Sequence, residues 1–146
     1  MRDLLPGDAD HMAAVVAAFE EVAQRGAFRT IATPLIESTP LFVRSLGDDS
    51  DVVAKEMFHV VTAHSSSSSA NSSSSSSSGK GGEALTLRPE GTAGVIRALV
   101  SSGRIADLPQ RCRYVGPMFR HERPQRGRYR QFTQCGIEAV GQGTQA

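Results

Sequence analysis

The chain has 146 residues, 39% of them hydrophobic, with no tryptophan, two cysteines and a formal net charge of +1. That length supports one modest domain, and no apolar run approaches the roughly 20 residues of a membrane span. Cys112 and Cys135 lack metal-ligand spacing and read as reduced structural thiols, so a disulfide scaffold is excluded and no protein-held metal is expected. The amino terminus has neither a secretory signal nor an Arg- and Ser-rich transit segment, which suits a cytoplasmic setting, with an organellar one left open. The near-neutral total hides an asymmetry: residues 104–130 carry eight arginines against Asp107 and Glu122, leaving the remainder acidic. A local cluster of that kind suits an anionic ligand better than general coating of nucleic acid.

In chain order, Asp8 can cap a helix in which Met12, Val15, Val16, Phe19, Val22 and Ala23 form one apolar stripe, ending near Gly26. Phe28 to Thr33 follows as a strand that Pro34 terminates. Thr39 before Pro40 reads as an N-cap with proline at the first helical position, opening a short helix that stops at Gly47. Val52 to Val61 and Glu83 to Arg88 have the β-branched content of two strands that pair as a hairpin. Between them, His64 to Gly82 holds the serine run and lacks the apolar side chains a fold needs, which predicts a disordered insertion acting as a neutral spacer. Closing so long a loop adds only about 0.6 kcal/mol per doubling of its length. Pro89 to Ser102 is a helix with Val95, Ile96, Leu99 and Val100 apolar and Gly103 placed to end it. Glu90 and Thr92 sit in its first turn, where a carboxylate either complements the helix dipole or receives an ammonium group.

Gly116 to Glu138 reads as a strand, a loop and a second strand. Arg120 and Glu122 share one face of the first run, while Phe132, Gln134, Gly136 and Glu138 share one face of the second. The alternate positions Thr133, Cys135, Ile137 and Ala139 are small or apolar and are expected to pack inward, leaving the polar face to a ligand. Arg123, Arg126, Arg128 and Arg130 surround Pro124 and Gly127 in the loop, an arrangement that a polyanion would satisfy. Phe132 offers a flat surface for a base, Glu122 can accept from an exocyclic amino group, and Arg120 can fork onto a phosphate. Gly136 leaves volume for a ligand or else marks a bulge. The plain alternative is a solvated basic hairpin.

FRHE followed by RPQRGRYRQFTQ resembles motif 2 of class II aminoacyl-tRNA synthetases, and its ERPQ and GRYRQF wording is similar to the histidyl-tRNA synthetase family. TLRPEGT at Thr86 to Thr92 resembles that family's loop for the amino group of histidine, and RDLLP and TPLIE add two further matches in the family's order, the latter resembling the end of motif 1 with Pro34 as its proline. The resemblance implies an α+β fold, a class II antiparallel sheet flanked by helices, with the first helix and strand forming a homodimer interface. It implies ATP-dependent activation of L-histidine and transfer to tRNA(His), with Mg²⁺ sharing the phosphate charge. By position in the motifs, Arg120 would be the catalytic cation holding the α-phosphate and the histidine carboxylate. Glu122 would take the adenine amino group, Arg128 the terminal phosphates and Phe132 the adenine face. Glu90, Gly91, Thr92 and Gln134 would surround the α-amino group, and Glu138 would reach the imidazole.

Nothing in residues 1–146 resembles the family's later histidine-specific segment, motif 3 or anticodon-binding domain, so the chain is expected to be a partial core that is inactive alone. Two other readings share the motifs. One is a noncatalytic histidine-sensing paralogue of the kind that regulates ATP phosphoribosyltransferase, and the other is a fragment that uses motif 1 to dimerise with a longer synthetase.

Overall fold

A computed structural model of the chain describes residues 2–47, 50–61, 84–123, 125 and 127–141. Its first helix, α1 (Pro6–Arg25), begins at a proline, whose fixed φ and missing N–H suit a first turn. Leu5 takes the cap position, so Asp8 is a first-turn carboxylate paired with Arg2 at 3.1 Å and not the expected cap. At the other end Ala27 (φ 59°), not Gly26, adopts the left-handed conformation. Ala23 is the buried residue of the apolar stripe, whereas Val15 and Val22 are 65% and 67% exposed. Arg113 pairs with Glu20 and donates to the Phe28 carbonyl, which ties α1 to the strand behind it.

Strand β1 (Arg29–Thr30) is shorter than the expected Phe28–Thr33 because it lies at a sheet edge, and the Thr33 carbonyl further on accepts from the Arg88 side chain. After β2 (Ile36–Ser38) comes α2 (Thr39–Leu46), with Ser38 in the N-cap position but making no side-chain cap bond; Thr39 falls inside the helix and its buried hydroxyl has no partner among the described residues. The expected strand Val52–Val61 is a correction. Val52–Glu56 winds as a π-helical turn started by Ser50, whose hydroxyl accepts the Val53 N–H at 3.2 Å, and extended backbone is confined to β3 (Phe58–Val60). The Ala-Lys-Glu sequence interrupts the β-branched run, and Val53 packs into a core beside Phe42 and Met57.

Strand β4 (Leu85–Leu87) pairs antiparallel with β3 in the expected hairpin sense, Phe58 opposite Leu87, and also pairs with β2. The predicted insertion His64 to Gly82 lies outside the described residues. Helix α3 (Thr92–Ser101) ends as expected before a left-handed Gly103 (φ 73°), and a 3₁₀ turn at Arg104–Asp107 leads into β5 (Gln110–Phe119). β5 and β6 (Gln131–Val140) pair along their whole length.

The expected α+β class holds, with the strands divided between two antiparallel-rich sheets of order β1-β5-β6 and β2-β4-β3, β1 running parallel to β5. One core joins α3 to β5 through Val95, Leu99, Cys112, Tyr114 and Met118, and the other lies between α2, Met57 and Ala93. Arg88 connects the sheets. Its backbone bonds Leu35 and Phe119, and its guanidinium donates to the Pro117 carbonyl at 3.0 Å and to the carbonyl and hydroxyl of Thr33 at 2.9 and 3.1 Å. Burial pushes this guanidinium below its ordinary pKa. No helix among the described residues is long and apolar enough to cross a membrane.

Candidate active site at the α3 end of the β5–β6 hairpin

Register fixes which side chains meet. Cys112, Tyr114, Gly116 and Met118 of β5 stand opposite Glu138, Gly136, Gln134 and Phe132 of β6. That shared face is the one α3 covers, and Phe132 and Val140 pack against its core. The expectation that Thr133, Cys135, Ile137 and Ala139 pack inward is therefore reversed: Ile137 is 52% exposed, Thr133 and Ala139 are exposed, and Cys135 is half-buried. The reason lies in β5, whose apolar residues share the polar row's face and draw α3 onto it.

Under α3 the polar row meets the turn that starts the helix. The Gly91 N–H donates to Gln134 Oε1 at 3.1 Å, and the Thr92 hydroxyl donates to Glu138 Oε1 at 2.7 Å. Glu90, 7% exposed, accepts the N–H groups of Thr92 and Ala93 at 2.5 and 2.8 Å. It thus satisfies two of the orphan donors of α3, which is the helix-partner reading of this carboxylate, and each oxygen keeps further acceptor capacity. Glu90, Gly91, Thr92, Gln134 and Glu138 are therefore one connected cluster.

Arg120 adjoins that cluster. Its Nε donates to the Pro89 carbonyl at 2.9 Å, and its guanidinium carbon sits 5.2 Å from the Phe132 ring centroid, within cation–π range. The terminal nitrogens of Arg120 make no hydrogen bond among the described residues. Glu122 and Arg128 form a second group in the loop beyond β5, where Arg128 Nη1 lies 3.7 Å from Glu122 Oε2. That oxygen is buried with no hydrogen-bond partner among the described residues. The pair borders a cleft of about 550 Å³ lined also by Lys55, Glu56, His121 and Arg123. Its root is held by the His121 N–H on the Glu56 carbonyl, 2.6 Å, and by the edge-on packing of His121 and Phe58. No hydrogen bond or ion pair among the described residues joins Glu122 and Arg128 to the Glu90 cluster.

Two residues escaped the sequence reading. Tyr114 is 7% exposed, and its ring occupies the space where a Cβ on Gly91 or Gly136 would stand, so the volume expected for a ligand over Gly136 is filled by this side chain. Burial foremost raises its pKa. The available signal was a single large residue facing two glycines in motif sequences. Arg88, the first residue of RPEGT, was the other. Burial also raises the thiols of Cys112 and Cys135, in line with structural rather than reactive cysteines. Among the described residues no three His, Cys, Asp or Glu side chains converge into a group that could hold a metal ion.

A basic motif loop on an antiparallel hairpin with a polar cluster at a helix start defines a class II synthetase core, and the family described as tRNA synthetase class II core domain (G, H, P, S and T) matches residues 76–146. The histidine–tRNA ligase of Burkholderia thailandensis is 45% identical over 141 residues, 97% of this chain and 28% of that protein. The apo histidyl-tRNA synthetase of S. aureus superposes with a TM-score of 0.65 at 30% identity, over 95% of this chain and 27% of that one. A Bacillus halodurans protein described as an ATP phosphoribosyltransferase regulatory subunit/histidyl-tRNA synthetase shares the fold, with a TM-score of 0.73 at 24% identity over 99% of this chain and 32% of that one. The chain belongs to the histidine–tRNA ligase family of class II synthetases, and it spans less than a third of the length of these relatives.

Proposed function

We propose that this chain supplies the histidine- and ATP-binding residues of a histidine–tRNA ligase, which activates L-histidine to its adenylate and passes it to tRNA(His). The observation that carries the reading is Arg120, which bonds the Pro89 carbonyl beside the Glu90–Thr92 turn and stacks on Phe132, so that one guanidinium adjoins both the amino-acid cluster and the nucleotide face. A histidine carboxylate attacks the α-phosphorus as the bond to pyrophosphate breaks. An α-carboxyl with a pKa of about 3.5 is already ionised, so no general base is needed and the work is positioning and charge stabilisation. Arg120 holds the carboxylate and the α-phosphate between its free nitrogens. The Glu122 oxygen that lacks a hydrogen bond among the described residues accepts the adenine amino group, Phe132 stacks on the base, and Arg128 meets the terminal phosphates. Glu90, Gly91, Thr92 and Gln134 take the α-amino end and Glu138 the imidazole. Near-isosteric amino acids leave such polar groups unpaired and are rejected.

Calorimetric titration with ATP tests the site. Arg120→Ala abolishes binding while Arg104→Ala, on the 3₁₀ turn before β5, leaves it intact; equal losses would mean that diffuse positive charge attracts the nucleotide. The fold shared with the Bacillus halodurans protein favours a second reading, a histidine sensor without catalysis, and that reading predicts histidine binding with no ATP binding. The exposed Val15 and Val22 of α1 support the further proposal that motif 1 forms a homodimer interface in a cytoplasmic enzyme.

A further inference from the structure

Tyr114 has no part in the adenylate chemistry, yet it is among the most constrained side chains of the cluster. Its ring lies in a slot between Gly91, in the turn before α3, and Gly136 on β6, and a Cβ on either glycine would collide with it. Two elements far apart in sequence thus leave room for one aromatic ring. A phenylalanine would satisfy packing alone. The slot instead places a phenol oxygen where Gly91 and Gly136 meet, beside Thr92 in the chain and on the β6 face that carries Glu138, two residues whose side chains are joined by a hydrogen bond. Burial is the largest cause that keeps the phenol protonated, which makes it a donor at neutral pH.

We propose that Tyr114 is a positioning residue: seated between Gly91 and Gly136, its hydroxyl donates to the Glu138 carboxylate and, together with the Thr92 donor, holds it in the orientation that receives histidine. The proposal rests on the reading above that Thr92 and Glu138 bind the amino acid. A carboxylate offers about four lone-pair directions. Thr92 takes one of them at 2.7 Å; in the proposal the Tyr114 hydroxyl, lodged where Gly91 and Gly136 meet, takes a second, so that the free directions of Glu138 are fixed before the ligand arrives. Such preorganisation matters because a ligand-binding group left to rotate loses affinity and selectivity together.

The chain has no tryptophan and two tyrosines, so Tyr129→Phe leaves Tyr114 as the tyrosine emitter. Histidine is titrated into the Tyr129→Phe chain by tyrosine emission and by calorimetry, and into the Tyr129→Phe/Tyr114→Phe chain by calorimetry, with ATP affinity and Tm measured for both. The expected result is a saturable change in Tyr114 emission on adding histidine, and a loss of about tenfold in histidine affinity in the double variant, equivalent to about 1.4 kcal/mol, with ATP affinity and Tm unchanged. Emission that histidine leaves unchanged, or equal histidine affinity in the two chains, overturns the inference and spares the underlying reading. A parallel fall in histidine affinity, ATP affinity and Tm also overturns it, since packing alone would then explain the residue. Failure of the Tyr129→Phe chain to bind histidine overturns both the inference and the reading on which it rests.

Discussion

Gly136 and Gly7 lie inside regular elements, and alanine at the two positions has opposite consequences. At Gly136 the added methyl runs into the Tyr114 ring, which cannot retreat because Gly91 backs it on the other side. Overpacking of that kind costs about 1–3 kcal/mol. At Gly7, in the first turn of α1, a Cβ meets nothing within 4 Å, and alanine is expected to add about 0.5–1 kcal/mol through helix propensity. Urea melts with unchanged m-values measure both shifts, and equal effects would mean that the ring is not clamped. The polar row Phe132, Gln134, Gly136, Glu138 was legible from alternation alone, and the structure brings Gln134 and Glu138 onto Gly91 and Thr92. The direction the row faces was not legible, because the burying residues Cys112, Tyr114 and Met118 belong to the partner strand.

At the scale of elements, α1, α2, α3 and the β5–β6 hairpin announce themselves by period and punctuation, while the short strands do not. β1 and β3 owe their extended backbone to the neighbours that pair with them, and the Val52 segment, β-branched at its start, coils where the Ser50 hydroxyl accepts the Val53 N–H. α1 illustrates a different limit. Its stripe was readable as apolar, but whether another chain covers it depends on something outside this polypeptide. Val22→Asp tests the dimer proposal. On a free surface this change is nearly neutral, within about 0.5 kcal/mol, whereas a charge left unpaired in an interface costs several kcal/mol. Sedimentation is expected to show a dimer for the wild-type chain and a monomer with unchanged circular dichroism for the variant; a monomeric wild type would sink the proposal.

At the scale of the whole molecule the telling fact is that the two sheets formed by the described residues share no strand. Arg88, 8% exposed, spans the gap with its backbone and its guanidinium, so the groups bridging Thr33, Leu35, Pro117 and Phe119 belong to a single residue. Replacing it by methionine keeps most of the volume and strands buried carbonyl acceptors, at an expected cost of about 3 kcal/mol. Amide exchange shows where that cost falls. In the wild type the best-protected amides of β4 and of β5 open with one common free energy, and in Arg88→Met the β4 amides exchange through a separate, easier opening while the β5–β6 ladder keeps its protection. A uniform loss across both sheets would mean that the coupling runs elsewhere. A guanidinium in this position therefore governs cooperativity: it decides whether the chain melts as one unit or sheds its smaller sheet first, and with that sheet the anchor of the turn that presents Glu90 and Thr92.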